Sequence, residues 1–390
     1  MQVDNETMSG MVDEQLRGEY TPPGHDAYGV DVGVLVRGEA IVQARLSGTL
    51  AEAMGPALCS QAQSVLVGAS REAPVADLRG RLAPVLASAQ AEAGCAGAHA
   101  AGEETAWQAL GGDASLIRAE ETIAIAVRRA LVGALSWTDI DFDVICGPML
   151  DPRVNVALDE TLAEKVMAGQ RRPLMRLWDW EGTQVVIGSF QSYANELQPT
   201  GVDKHNVIVT RRISGGGAMY MEAGKCVTFS LIVPTALIEG MSFEQSYPYL
   251  DQWVMEVLAS LGVNARYVPL NDIASDRGKI AGAAQKRWAK GFTLHHVTMA
   301  YDIDSGAMNE VLRIGMEKIR DKGTRSAAKF VDPLTRQIDL PRETVVEAFR
   351  TYFISKYSGR VSALTDAEIA EATDRVRTKF GTAEWTFRLP

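Results

Sequence analysis

The chain has 390 residues, 46% apolar and 23% charged, enough to bury a sizeable core in one large domain or two ordinary ones. Its 39 basic and 49 acidic residues give a net charge of −10, which argues against a general nucleic-acid binder. No apolar run reaches the ~18 residues of a membrane span, and the polar, acidic start lacks the basic and apolar regions of a signal peptide.

Residues 1–18 carry no apolar periodicity and are expected to be disordered or weakly ordered. Val30, Val32, Val34 and Val36 then alternate with other residues, Arg37-Gly38-Glu39 turns, and Ala40–Leu46 continues, which reads as a β-hairpin with one buried face. Helices are expected over Leu50–Val67 and Val75–Ala93, where Leu78, Leu82, Val85 and Leu86 recur at helical spacing, and again over Glu104–Leu110 and Glu120–Leu135. The Ala- and Gly-rich stretch Ala89–Ala101 reads as a loose connection. Gly147-Pro148 and Asp151-Pro152 place a boundary near Trp137–Asp151.

Beyond it, Asn155–Met167 reads as an amphipathic helix, Met175–Trp180 and Gln184–Ser189 as strands, and Asn206–Arg211 as a strand entering a glycine cluster. Val227–Val233 and Phe292–Tyr301 read as further strands, and Ser242–Leu261, Arg342–Tyr357 and Ala367–Phe380 as helices. Strands and helices without a strict βαβ rhythm predict an α+β fold around a mixed sheet. The expected organisation is a disordered 1–18, a small α+β domain over 19–136 and a larger domain over 137–390.

Cys59, Cys95, Cys146 and Cys226 are far apart, with no Cys-x-x-Cys pair and no His at zinc spacing. Neither a disulfide framework nor a structural zinc site is expected; free, mostly buried thiols in a reducing cytoplasm are the plain reading.

Arg211-Arg212-Ile213-Ser214-Gly215-Gly216-Gly217 admits two readings. Three glycines can be a flexible hairpin turn. They can also reach positive φ, approach a ligand closely and turn successive amides into one concavity that holds an oxyanion, with two forked guanidinium groups suited to phosphate or carboxylate beside them. No Gly-Lys-Ser/Thr follows, so it is not a Walker loop, and the glycine spacing is not that of a dinucleotide fingerprint.

Further on, Asn271 and Asp272 offer oxygens suited to Mg²⁺, which takes few protein ligands beside phosphate oxygens. Lys279, on a strand between Gly278 and Gly282, is either a solvated surface lysine or a cation reaching a bound carboxylate or phosphate. His295 and His296 are adjacent on a strand and point to opposite faces, so one buried, hydrogen-bonded His and one exposed His are expected rather than a metal pair.

In combination these segments resemble a known family. Arg211–Tyr220 is similar to the RRxSGGGAVY/F element of the lipoate-protein ligase and octanoyltransferase group, which is related to biotin ligases. Asn155-Val156-Ala157-Leu158-Asp159-Glu160 looks like its N-x-A-L/I-D-E helix start, and Val186-Ile187-Gly188-Ser189-Phe190-Gln191 like its V-x-G-x-x-Q strand end. Leu270-Asn271-Asp272-Ile273, Gly278–Gln285 and Leu294–Thr298 follow in the family's order, and the resemblance covers about residues 150–340.

The resemblance implies a mixed-sheet biotin/lipoate-ligase-like catalytic domain. It implies ATP- and Mg²⁺-dependent activation of lipoic or octanoic acid to an acyl-adenylate, then transfer to a lysine of a lipoyl domain or lipoyl carrier protein. Lys279 is the implied catalytic residue. Arg211, Arg212, Ser214, Gly215, Gly216, Gly217, Ala218, Tyr220, Gly188, Gln191, Gly282, Ala284 and His296 are the implied acyl- and adenylate-binding residues. Asn271 and Asp272 are implied at the nucleotide, with Mg²⁺ held by Asp272 and phosphates. No nucleic-acid or membrane partner is implied, and a cytoplasmic location is expected.

Two alternatives stay open: a cysteine-dependent octanoyltransferase, and a non-catalytic relative that binds lipoyl domains. The first needs a thiolate near Lys279, yet Arg266–Asp304 contains no cysteine, and Cys226 is expected to pack within its strand. The biotin-ligase string G-R-G-R-x-G-R-x-W is absent. Departures from the family pattern are Met221 for a His, Lys225 for an Asn, which would add charge near the nucleotide, and Ser189 where a basic residue often lies. Lys318–Ser326 is a basic stretch, either a solvated face or one that could meet an acidic acceptor domain. Gly18-Glu19-Tyr20-Thr21-Pro22-Pro23-Gly24 and the following hairpin resemble the family's small accessory domain, here placed in front, with Thr49 for the usual acidic residue.

Overall fold

The computed structural model describes residues 12–96, 112–313 and 331–389. They form two compact units: one holds the chain up to Ser136 together with Ala236–Tyr249, the other Trp137–Thr235 and Leu250–Pro390. The expected helix Glu104–Leu110 and the basic stretch Lys318–Ser326 lie outside the described residues.

The first unit is a three-stranded antiparallel sheet, β1 (Asp13–Tyr20), β2 (Val30–Arg37) and β3 (Ala40–Ser47), with helices α1 (Thr49–Leu66), α2 (Val75–Ala96) and α3 (Gly112–Leu131). The alternation in β2 buries Val30, Val32, Val34 and Val36. β1 corrects the expectation of disorder through residue 18, since Asp13–Gly18 are paired residue for residue with β2. Its sequence gives no alternation because it is an exposed edge strand. The ladder orders it, helped by the Arg37–Asp13 and Arg71–Glu14 pairs at 2.6 and 2.5 Å. A Cβ on Gly18 would collide with the backbone of Ala126 and Ala130, so α3 lies directly on this strand. The connection expected from Ala89 is also corrected: α2 runs on to Ala96, because alanine favours helix whatever the periodicity.

The second unit is an α+β fold around an eight-stranded mixed sheet, order β10-β11-β12-β13-β9-β5-β4-β14, with a smaller sheet β7-β6-β8. The large sheet comprises β4 (Asp143–Leu150), β5 (Leu174–Trp180), β9 (Cys226–Pro234), β10 (Arg266–Val268), β11 (Asp272–Ala274), β12 (Lys279–Trp288), β13 (Phe292–Ala300) and β14 (Arg360–Ser362). The smaller has β6 (Thr183–Ile187), β7 (Ile208–Arg211) and β8 (Met219–Glu222). β14–β4, β4–β5 and β6–β7 are parallel. The boundary expected near Trp137–Asp151 hides β4. Gly147-Pro148 does not end the strand but falls where its register with β5 shifts, between Cys146 and Met149.

β9 lies between β13 and β5 and is buried from Cys226 to Val233, so its polar residues Thr228 and Ser230 are buried with the apolar ones. Helix α4 (Pro152–Met167) starts with Pro152 in its first turn and Asp151 as N-cap, accepting from Arg153 N. Its inner face buries Asn155 and Asp159 with Val156, Leu158 and Leu162. Helices α5 (Phe243–Ser260), α6 (Arg342–Tyr357) and α7 (Asp366–Arg375) follow, with a short final turn at Ala383–Thr386. Among the described residues no helix is long and apolar enough to cross a membrane.

Candidate functional site

β7 ends at Arg211, and the chain then loops through Ser214–Gly217 into β8. Gly216 has φ +92°, a conformation that favours glycine. A Cβ on Gly188, at the end of β6, would collide with the carbonyl oxygen of Gly216, so the two loops pack backbone on backbone. Gln191 braces that approach, its Oε1 accepting from Gly188 N at 2.7 Å.

The two arginines do different work. Arg211 is fully buried and donates to the carbonyls of Gly188, Gln191 and Thr386 at 3.0, 2.6 and 2.7 Å. Burial, with Arg388 nearby, pulls its pKa down. It is a clasp between the strand-end loop and the C-terminal segment, and the expectation that it contacts a ligand is corrected: its donors face carbonyls of the chain. Arg212 lines a cavity, and its Nη2 holds the carbonyls of Gly215 and Gly217 at 2.6 and 2.9 Å while Nε reaches Ser214 Oγ at 3.0 Å.

β12 brings Lys279 opposite this loop. Its Nζ lies 2.7 Å from Asp272 Oδ1 on β11, and Asn271 Nδ2 donates to Ala283 O at 2.6 Å. Two cavities meet here. One, of about 680 Å³, is mostly apolar, with Val156, Trp178, Val186, Met221 and Ala284 in its wall beside Asp159 and His296. The other is mixed and more polar than the first, with Gln191, Glu196, Asp272 and Arg313 beside Ile303, Met308 and Leu312. Gly217, Ala218, Met219, Asn271 and Lys279 line both. Burial raises the Tyr220 phenol to about 12 and the Cys226 thiol likewise to about 12, so both stay protonated at neutral pH.

This arrangement has counterparts in known proteins. The family described as the lipoyl protein ligase A/B catalytic domain matches residues 151–355. The chain belongs to that family. Lipoate-protein ligase 1 of Staphylococcus aureus is 28% identical over 241 residues, covering 61% of this chain and 70% of the relative. Octanoyltransferase LipM of Halalkalibacterium halodurans is also 28% identical, over 266 residues, 61% of this chain and 95% of the relative. Among solved structures, the bipartite lipoate protein ligase of Thermoplasma acidophilum, studied with its E2 lipoyl domain, has a TM-score of 0.54 at 27% identity, covering 64% of this chain and 96% of that one. Membership carries lipoyl or octanoyl transfer to proteins, on the lipoate-ligase catalytic fold.

Within the lipoyl ligase framework, most residues singled out in the sequence come together. Lys279, Asn271, Gly282, Ala284, Arg212, Gly217, Ala218 and His296 line the apolar cavity; Asp272, Tyr220 and Gln191 line the polar one. Ser214 and Gly188 are buried beside that surface, while Gly215 and Gly216 are more exposed parts of the loop; none of the four lines either cavity. Both histidines are enclosed, which corrects the expectation of one exposed ring. His295 is fully buried, with Nε2 2.6 Å from Asp251 on α5, and His296 faces the cavity. The sheet is covered on both faces, so alternation separates two interiors. Lys225 pairs with Glu222 at 3.2 Å in the β8–β9 turn and lines neither cavity.

Three residues contribute without a clear local signal in the sequence. Asp159 reads only as part of a helix start, yet it lines the cavity. Trp178 could be found as an inward position of β5. Arg388 had no signal: its Nη2 donates to Ser189 Oγ at 2.6 Å, bringing a cation to the position where Ser189 replaced a basic residue. Among the described residues no group of three or more His, Cys, Asp or Glu could hold a metal.

Proposed function

We propose that this chain activates lipoate or octanoate with ATP to an acyl-adenylate and transfers the acyl group to a lysine of a lipoyl domain or lipoyl carrier protein. The observation that carries this reading is Lys279 at the meeting of an apolar cavity and a mixed, more polar one, with the glycine loop facing it. An acyl chain fits the apolar cavity and a nucleotide the polar one, which brings the carboxylate and the α-phosphate together beside Lys279.

A carboxylate oxygen attacks the α-phosphorus and pyrophosphate leaves. The negative charge on the phosphoryl oxygens is met by the Lys279 ammonium and the loop amides, fixed before the reaction starts. The acceptor amine then attacks the acyl carbon, the C–O bond to AMP breaks, and the amine proton passes to solvent or to a carboxylate such as Asp272. AMP is a good leaving group, so no enzyme nucleophile is needed. For Mg²⁺ the chain offers the Asp272 carboxylate and the Asn271 amide oxygen, a donor set that suits an ion otherwise held by phosphate and water. Bound there, the ion would neutralise phosphate charge.

The likeness to octanoyltransferases named LipM raises a second reading, an octanoyl transfer that would run through a cysteine. Among the described cysteines, Cys226 is buried with a raised pKa and Cys59 belongs to the first unit; neither lines the two cavities, nor does Cys146. Pyrophosphate release with lipoate or octanoate, ATP and Mg²⁺ tests the proposal. No turnover with either acid would sink it. The first unit is proposed as the accessory part that adenylation requires, on the strength of its Gly18–Gly24 and hairpin motifs.

A further inference from the structure

An unbroken chain of hydrogen bonds joins the wall of the apolar cavity to the glycine loop. Trp178 Nε1 donates to Ser230 Oγ at 3.1 Å, and Ser230 Oγ to Asp159 Oδ1 at 2.8 Å. Arg176 Nη2 donates to the same oxygen at 2.9 Å. Asp159 Oδ2 faces His296 Nδ1 at 2.9 Å, His296 Nε2 faces Ser214 Oγ at 2.7 Å, and Arg212 Nε completes the chain at 3.0 Å from that hydroxyl.

The hydrogens can be placed by elimination. Arginine only donates, so Ser214 Oγ accepts from Arg212. The hydroxyl has a second lone pair, so its proton goes to a bare His296 Nε2 where the ring is neutral, the state that burial favours. His296 Nδ1 carries its hydrogen and donates to Asp159, which is ionised and held by Arg176. Every link has one hydrogen, and the ring is neutral. Burial, the main cause of the lowered His296 pKa, agrees with that assignment.

Ser214 is not a reacting group: it is 1% exposed and lines neither cavity. What it holds is Arg212, whose guanidinium in turn grips the carbonyls of Gly215 and Gly217. Three consecutive glycines have wide conformational freedom, and side chains outside the loop must fix where its amides point. We infer that Asp159 and His296 are positioning residues that act through Ser214 and Arg212 to set the glycine loop. Asp159 sits on α4, Arg176 and Trp178 on β5, Ser230 on β9 and His296 on β13, so four elements of the unit fix one short loop. The catalytic meaning rests on the proposed adenylation; the structural claim does not.

The test uses the full chain with Ser214→Ala, His296→Phe and His296→Gln. Hydrogen exchange is read at the amides of Gly215–Tyr220, with β9 and β13 as internal controls for folding, and kcat and KM are read for acyl transfer. S214A removes one hydroxyl and leaves the packing in place. It and H296F are expected to speed loop exchange at least tenfold with control strands protected, and to lower kcat by about 100-fold, the scale of a misplacement near 1 Å. For S214A, KM for the acid should move less than threefold. H296Q, whose side-chain oxygen can accept from Ser214, should recover part of the loss. Wild-type loop exchange in both S214A and H296F overturns the inference. Should the wild type release no pyrophosphate, adenylation fails as a reading, while the exchange comparison still decides the relay.

Discussion

The Lys279 ammonium lies across Gly282 to reach Asp272, Nζ to Oδ1 2.7 Å. Gly282 is the residue directly opposite Asp272 in the β11–β12 ladder, while Lys279 itself faces Ala274 past a register shift. A Cβ on Gly282 would collide with the Lys279 side chain. The glycine opens the diagonal, and the carboxylate fixes the end of an otherwise mobile lysine at the junction of the two cavities.

Replacing Lys279 by Met therefore keeps the apolar stem and removes the charge. Acyl transfer should fall by on the order of 10²–10³, the usual loss of one preorganised donor, with the fold intact by circular dichroism. A loss under threefold would remove Lys279 from the chemistry.

Gly188→Ala tests the backbone contact behind the loop. The new Cβ has the Gly216 carbonyl in its way, and Gly216 is held at φ +92°. The glycine loop must move, so activity should drop about 100-fold. The melting temperature should fall as well, since the clashing atom belongs to the backbone and cannot swing aside. Wild-type kinetics would show that the loop can shift at no cost.

Much of this site is legible in the sequence because its ligand-facing parts are local: the triple glycine, Asn271-Asp272 and Lys279 are short strings. What supports them is not. Arg211 reads as a second ligand cation beside Arg212, and only the fold shows its guanidinium among carbonyls of Gly188, Gln191 and Thr386. β1 is polar because it is an edge, and β4 carries Gly147-Pro148 at a bulge; both defeat a reading that relies on alternation. Asp159 falls on a helix face shared with apolar residues, where spacing alone cannot tell a network member from a polar interruption.

Cys226→Ser separates the two chemistries. The thiol is 1% exposed and its pKa is pushed up to about 12, so ATP-dependent transfer should stay within about twofold of wild type. Burying a hydroxyl in its place should lower stability by about 1 kcal/mol. Abolished transfer from an octanoyl carrier, in a variant that still folds, would favour the cysteine route.

Arg211→Lys should act on stability. One ammonium cannot cover the carbonyls that the guanidinium fork reaches on both the strand-end loop and Thr386. Leaving buried acceptors unpaired costs on the order of 3 kcal/mol in total, read as a lower denaturant midpoint with an unchanged slope. A midpoint equal to wild type would show that the C-terminal segment is not held by this residue.

The pH dependence of stability should carry the signature of His296. Burial lowers its pKa in the folded chain, partly opposed by Asp159. In the unfolded chain the ring titrates near its ordinary value of about 6.5. As pH falls through 6.5 the unfolded state takes up the proton first, so it binds more protons than the folded state, and stability falls with pH. The contribution is complete above 6.5 and is lost toward the lower, folded pKa. Asp159 is also lowered, through His296 and Arg176 against the cost of burial. Its contribution is present above the ordinary carboxylate value and lost only below it, so the two effects separate on the pH axis. Melting curves from pH 8 to 5 should therefore slope downward below 6.5 in the wild type. In His296→Gln the slope should be shallower, with the remaining histidines setting the baseline. Identical slopes in the two proteins would mean that the ring titrates in the folded chain as it does in the unfolded one, which would contradict the lowering by burial.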